Sequence, residues 1–143
     1  MADKCTSRSS RFAAIEALVR LQKTRLPISR IFENVVNEYT LKRNDRHLAM
    51  KICYGVLRQR DYLDYLLSQI CTRPATKLKP FVYQALSTGL YQLFFLDRIP
   101  PSAAVNETVK AVKAAQLPKP IQGFVNGVLR TGIRNKNKLA DPE

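Results

Sequence analysis

Apolar residues recur at intervals of three and four along nearly the whole chain, and no stretch alternates with period two. A 3.6-residue repeat puts such positions on one side of an α-helix, whereas a strand needs strict alternation. Five glycines are also too few for a set of hairpin turns. The pattern therefore predicts a bundle of helices and excludes folds built on a sheet.

Seven segments are expected. The first opens at Ser9 or Ser10, either a good N-cap, and turns Phe12, Ile15, Leu18, Val19 and Gln22 inward. The second follows Pro27 with Ile28, Ile31, Phe32, Val35, Val36 and Tyr39 buried. Asn44 and Asp45 cap a third, whose arc is Leu48, Ala49, Ile52, Cys53, Val56 and Leu57 and which ends near Arg60. A fourth runs from Asp61 until Pro74 stops it. The fifth starts at Pro80 and is apolar on both sides, which makes it central. Ser102 caps a sixth after the stiff Asp97–Pro101 turn, and a seventh follows Pro118 and Pro120. Gly123 and Gly127 of the seventh read as sites of close helix packing. A chain of 143 residues with 45% hydrophobic content can bury one core without a metal or disulfide. The segments divide it into a basic stretch over 1–8, a helical domain over 9–135 and a polar tail over 136–143.

Charge narrows the function. Lys and Arg number 24 against 11 Asp and Glu, a formal net charge of +13, with a pI near 10.1. A polyanion is the natural partner, and nucleic acid leads. No apolar run reaches the ~20 residues of a membrane span, and Met1 to Arg11 carries no signal-peptide core, so a cytoplasmic protein without a membrane role is expected. Cys5, Cys53 and Cys71 fit neither a disulfide framework nor a metal knuckle, and read as reduced thiols. His47 is the only histidine, and the glycines form no phosphate loop. No catalytic residue, metal site or cofactor site is expected in this chain.

Three basic clusters could hold phosphates. Lys4, Arg8 and Arg11 stand at the start of the first helix, where free backbone N–H groups already favour an anion. A solvated tail explains them equally. His47, Lys51, Tyr54 and Arg58 form a stripe opposite the apolar arc of the third helix, pairing cations with a ring on which an unpaired base could stack. An ordinary polar helix face looks the same. Arg130, Arg134, Lys136 and Lys138 make the third cluster, which also suits the dipole at a helix C-terminus.

The segments "ICYGVLR" (52–58), "GLYQLFFLDRIPPSAAVNETV" (89–109) and "GFVNGVLR" (123–130) resemble the NusB-like domain, in the version found at the N-terminus of RsmB-type ribosomal RNA cytosine-C5 methyltransferases. The resemblance runs from Arg8 to about Arg134. It implies an all-α, NusB-like bundle of about seven helices in two sub-bundles. It also implies RNA binding, with Arg8 and Arg11 in the stretch that helps hold single-stranded RNA in NusB factors. The residues expected to bind RNA are Arg8, Arg11, Lys51, Tyr54, Arg58, Arg130 and Arg134.

In the parent enzymes, as the resemblance has it, S-adenosylmethionine and the catalytic cysteines belong to a further domain. Here Cys71 precedes Thr72, Arg73 and Pro74 rather than sitting in a Pro-Cys-Ser-Gly pattern, and "NKNKLADPE" reads as the start of a linker. The expected role is therefore non-catalytic: docking a methyltransferase, joined in cis, onto small-subunit ribosomal RNA. Two other roles stay open, a free-standing NusB-type transcription antitermination factor and a protein-interaction module packing on the catalytic domain. Arg130 stands where free-standing NusB tends to have Asp, and the Arg58 ending of the third segment also departs from that type. Both favour the methyltransferase version.

Overall fold

The computed structural model describes residues 9–139. It contains α1 (Ser10–Lys23), α2 (Ile28–Tyr39), α3 (Arg43–Arg58), α4 (Arg60–Ile70), α5 (Pro80–Phe95), α6 (Pro101–Ala114), α7 (Lys119–Arg134) and α8 (Lys136–Leu139), and no strand among the described residues. Ser9 caps α1 as expected, its hydroxyl accepting from the Phe12 N–H at 3.0 Å. Pro80 and Pro101 occupy the first turns of α5 and α6, where a missing N–H breaks no helical bond.

Several local expectations shift by a residue or two. α3 begins at Arg43 after an extended Lys42, and Asp45 lies in its first turn with no side-chain cap. It ends at Arg58, so one residue, Gln59, separates it from α4. α6 begins before Ser102, because the extended Pro100 already sets the entry angle that a cap would otherwise fix. Within the stretch expected to be polar tail, Lys136–Leu139 form α8, a single turn that Tyr62 meets through its hydroxyl, which donates to the Leu139 carbonyl at 3.3 Å.

The helices form two sub-bundles, α1–α3 and α4–α7, joined where α1 and α3 pack against α5. As expected α5 is central: Val82, Ala85, Leu86, Leu90, Tyr91 and Leu93 are all buried, together with Gln84, Ser87, Thr88 and Gln92. α1 is central too, which its amphipathic pattern concealed. Ala13, Ala14 and Ala17 are fully buried, and their small side chains let α2, α3, α5 and α6 all approach. Gln22 was expected inside but is exposed near the end of α1, where its Oε1 accepts from Gln84 at 2.8 Å. Gly123 and Gly127 do not mediate helix packing either. A Cβ built on them would meet nothing within 4 Å. They face an open cleft instead.

Candidate nucleic-acid interface

The basic residues divide by what their side chains touch. Arg8 lies outside the described residues. Arg11, in the first turn of α1, is half-buried, and its Nε donates a 2.9 Å bond to Oε1 of the fully buried Gln92. Burial pulls its guanidinium below the ordinary value, while Glu107 and Asp45 pull the other way. The Nε side of this group is thus engaged by an internal polar network.

Arg60, which the sequence did not single out, is held in a similar way at the start of α4. Its Nη1 donates to the hydroxyls of Tyr83 (3.0 Å) and Ser87 (2.8 Å), and its Nη2 to Gln84 (2.6 Å). The Tyr83 hydroxyl in turn donates to Asp64. Burial first, and then that bond, push the Tyr83 phenol up to about 12.

The α3 stripe divides between surface and interior. His47, Lys51 and Arg58 are exposed, but Tyr54 is half-buried, its ring edge-to-face with Phe32 of α2 at 6.3 Å and 83°. The helix-wheel argument missed this because α2 covers part of the face that looked polar. Lys51 lines a cleft of about 370 Å³ between α3 and the α5–α6 turn, together with Phe95 and Arg98.

The α7 cluster keeps its cations outward. Arg130 and Arg134 are exposed, one turn apart, and line a second cleft of about 410 Å³ between α7 and the end of α4. Arg130 Nε donates to Asn126 at 3.2 Å and Arg134 Nη2 to Thr131 at 3.0 Å, which fixes both guanidinium groups along the helix. Gly123 and Gly127 leave the floor open, and among the described residues no carboxylate lines the cleft. Arg73 lies over the ring of Phe124, another lining residue, at 5.3 Å. Neither Arg73 nor Phe124 was expected from sequence. The Thr72-Arg73-Pro74 run gave a signal, a cation held by a proline turn, but only the packing of α4 on α7 brings it to Phe124. The two clefts share no lining residue, so Lys51 and the Arg130–Arg134 pair do not meet in one pocket.

Among the described residues no group of three or more His, Cys, Asp or Glu could hold a metal ion, and no helix is long and apolar enough to cross a membrane. Cys53 is fully buried, and burial pushes its thiol up to about 12. A thiol so protonated at neutral pH is a poor nucleophile.

Comparison with known proteins agrees with this architecture. The NusB family model matches residues 8–134. The probable ribosomal RNA small subunit methyltransferase B of Bacillus subtilis (strain 168) is 35% identical over 138 residues, which cover 94% of this chain and 30% of that protein. The ribosomal RNA small subunit methyltransferase B of Escherichia coli O1:K1 / APEC is 34% identical over 132 residues, 92% of this chain and again 30% of the relative. The chain thus spans about 30% of the length of these relatives, and it matches their N-terminal part. Among solved structures, the antitermination factors NusB and NusE in complex with double-stranded RNA include a chain with a TM-score of 0.76 and 24% identity, covering 85% of this chain and 90% of that one. T. maritima NusB gives a TM-score of 0.74 and 21% identity, covering 94% of this chain and 89% of that one. These likenesses fix the fold.

Proposed function

This chain belongs to the NusB family, and from that premise we propose that it is an RNA-binding domain that docks a ribosomal RNA methyltransferase on its substrate. The observation that carries the reading is the Arg130–Arg134 pair: two exposed guanidinium groups on one edge of an open cleft with no carboxylate among the described residues of its lining. Arginine forks suit phosphate oxygens, and a carboxylate-free lining leaves them unneutralised. Lys51 and Arg58 offer further exposed cations on α3.

Identity of 34–35% to small-subunit methyltransferases, against 21–24% to NusB structures, supports the methyltransferase role over free-standing antitermination. In this reading methyl transfer and its S-adenosylmethionine belong to the remaining length of such proteins, which work in the cytoplasm on small-subunit ribosomal RNA. Residues 9–139 contribute position, not chemistry.

Titration of this chain with a short single-stranded fragment of small-subunit ribosomal RNA at several salt concentrations tests the proposal. If about five phosphates are neutralised, log K falls against log salt with a slope near −3.5. A flat response, or no binding, sinks it.

A further inference from the structure

The cleft between α3 and the α5–α6 turn differs in kind from the α7 cleft. Its volume, about 370 Å³, lies within the ~300 to 1,000 Å³ range of small-ligand sites. Leu48, Ile99 and Phe95 give it apolar walls, and Lys51, Asp97 and Arg98 bring charge to it. Phe95 is 36% exposed although it is large and aromatic. Its ring is stacked on Tyr91 at 5.2 Å and 19°, and Tyr62 meets it edge-to-face at 5.8 Å and 82°. Those neighbours fix the ring without covering it.

The charged residues are as informative as the ring. Lys51, Asp97 and Arg98 are exposed, and none makes an ion pair or side-chain hydrogen bond among the described residues. The turn that carries two of them is closed by the Ile99 N–H on the Leu96 carbonyl at 3.1 Å and is followed by Pro100 and Pro101. It is therefore ordered in advance of any ligand, which lowers the entropy lost on binding. A fixed aromatic face in a cleft that two cations also line suits a flat ring flanked by phosphates. A carboxylate beside that ring accepts from an exocyclic amino group, as Asp does from N4 of cytosine.

We propose that this cleft is a pocket for one unpaired nucleotide of RNA, with Phe95 stacking on the base, Lys51 and Arg98 on the phosphates either side, and Asp97 selecting an amino-bearing base such as cytosine. The proposal rests on the RNA-binding reading and adds a second, base-selective site to it. The charge favours RNA over a protein partner here, because an apolar protein anchor would leave Lys51 and Arg98 without counter-charge.

The test uses the 143-residue chain with fluorescent eight-nucleotide oligo(C) and oligo(U) RNA. Wild-type protein should prefer oligo(C). Phe95→Ala should weaken oligo(C) binding by about 5-fold or more with the salt slope unchanged, since stacking involves no ion release. Phe95→Leu, which keeps apolar volume against Tyr91 and Tyr62, should show the same direction if the alanine variant folds poorly. Asp97→Asn should erase the preference for oligo(C), because a neutral amide can also donate to O4 of uracil. If the Phe95 and Asp97 variants bind like wild type while an Arg130→Ala/Arg134→Ala variant is weakened, the pocket is overturned and RNA docking through α7 stands. If wild-type protein binds neither RNA, both readings fall. If Phe95→Ala leaves RNA affinity intact but abolishes self-association of the wild-type chain, the cleft is a protein surface and the pocket is overturned.

Discussion

The Nε of Arg11 and the Oε1 of Gln92 are 2.9 Å apart, a bond that ties the first turn of α1 to the last turn of α5 across 81 sequence positions. Gln92 completes its partners by donating through Nε2 to the Thr108 hydroxyl and the Thr88 carbonyl, both at 3.1 Å. Deleting Arg11 leaves the Gln92 oxygen buried without a donor, a loss of about 1–3 kcal/mol. Arg11→Ala should therefore lower the urea midpoint. In a double-mutant cycle with Gln92→Leu, the coupling should exceed about 0.5 kcal/mol. Under conditions where the variant is folded, its RNA affinity should fall less than that of Arg130→Ala/Arg134→Ala. A larger fall would place Arg11 on the RNA after all.

Glycines on α3 and α7 should respond in opposite directions to the same change. A Cβ on Gly55 would lie 2.1 Å from the Tyr91 ring, which is itself buried and stacked on Phe95. Gly55→Ala should cost about 1–3 kcal/mol through overpacking. Gly127→Ala meets open space and removes backbone freedom from a helix interior, so it should raise stability by up to about 1 kcal/mol. Because Gly127 lines the α7 cleft, the stabilised variant should bind RNA more weakly. Thermal melts and RNA titrations of both variants check these outcomes.

The Tyr83 phenol, pushed up to about 12 by burial and its bond to Asp64, sets an alkaline limit. The folded chain holds this proton above the ordinary value of 10, where the unfolded chain has already released it. The contribution is complete below pH 10 and fades as pH rises to 12. Tyr83→Phe removes it, so the difference in urea midpoint between wild type and variant should shrink from pH 9 to pH 11. A constant difference would mean that the hydroxyl is not the titrating group. Cys53 titrates over a neighbouring window in both proteins and cancels in the comparison.

How much of this was readable in advance differs between backbone and site. Helix positions follow from a repeat that the chain carries locally, so the seven main segments and the central place of α5 could be read directly. α1 was misjudged because alanine contributes little to an apolar pattern, although Ala13, Ala14 and Ala17 make the crossing with four helices possible. The fate of a cation is not local at all. Arg11, Arg60 and Arg130 are alike in sequence, yet Gln92 and Tyr83 draw the first two inward, and among the described residues only Asn126, on its own helix, engages the third. Tyr54 shows the same limit, because Phe32 covers part of the ring that looked free.

Thiol reactivity should separate Cys53 from Cys71. Cys53 is fully buried with its thiol pushed up to about 12, while Cys71 is half-buried at the end of α4. Alkylation needs thiolate and access together. Iodoacetamide at pH 8 should modify Cys71 in the native protein and reach Cys53 only in denaturant, with peptide mass spectrometry locating the label. Rapid native labelling of Cys53 would show that α3 opens readily from α5.

The sharpest test of the α7 cleft is the salt dependence of a variant. Each phosphate neutralised on single-stranded RNA contributes about 0.7 to the slope of log K against log salt. Arg130 and Arg134 are exposed and, among the described residues, hydrogen-bonded only within their own helix, so replacing both with Ala should leave the melting temperature close to wild type. If each meets one phosphate, the slope should become shallower by about 1.4, and affinity at low salt should fall in step. Arg20→Ala combined with Arg46→Ala is the matched control, because it also removes two positive charges, but from guanidinium groups already paired with Glu16 and Glu38 and with Glu33. An equal change of slope in both variants would mean that RNA senses net charge alone, and a change confined to the α7 variant would locate the phosphate path in this cleft.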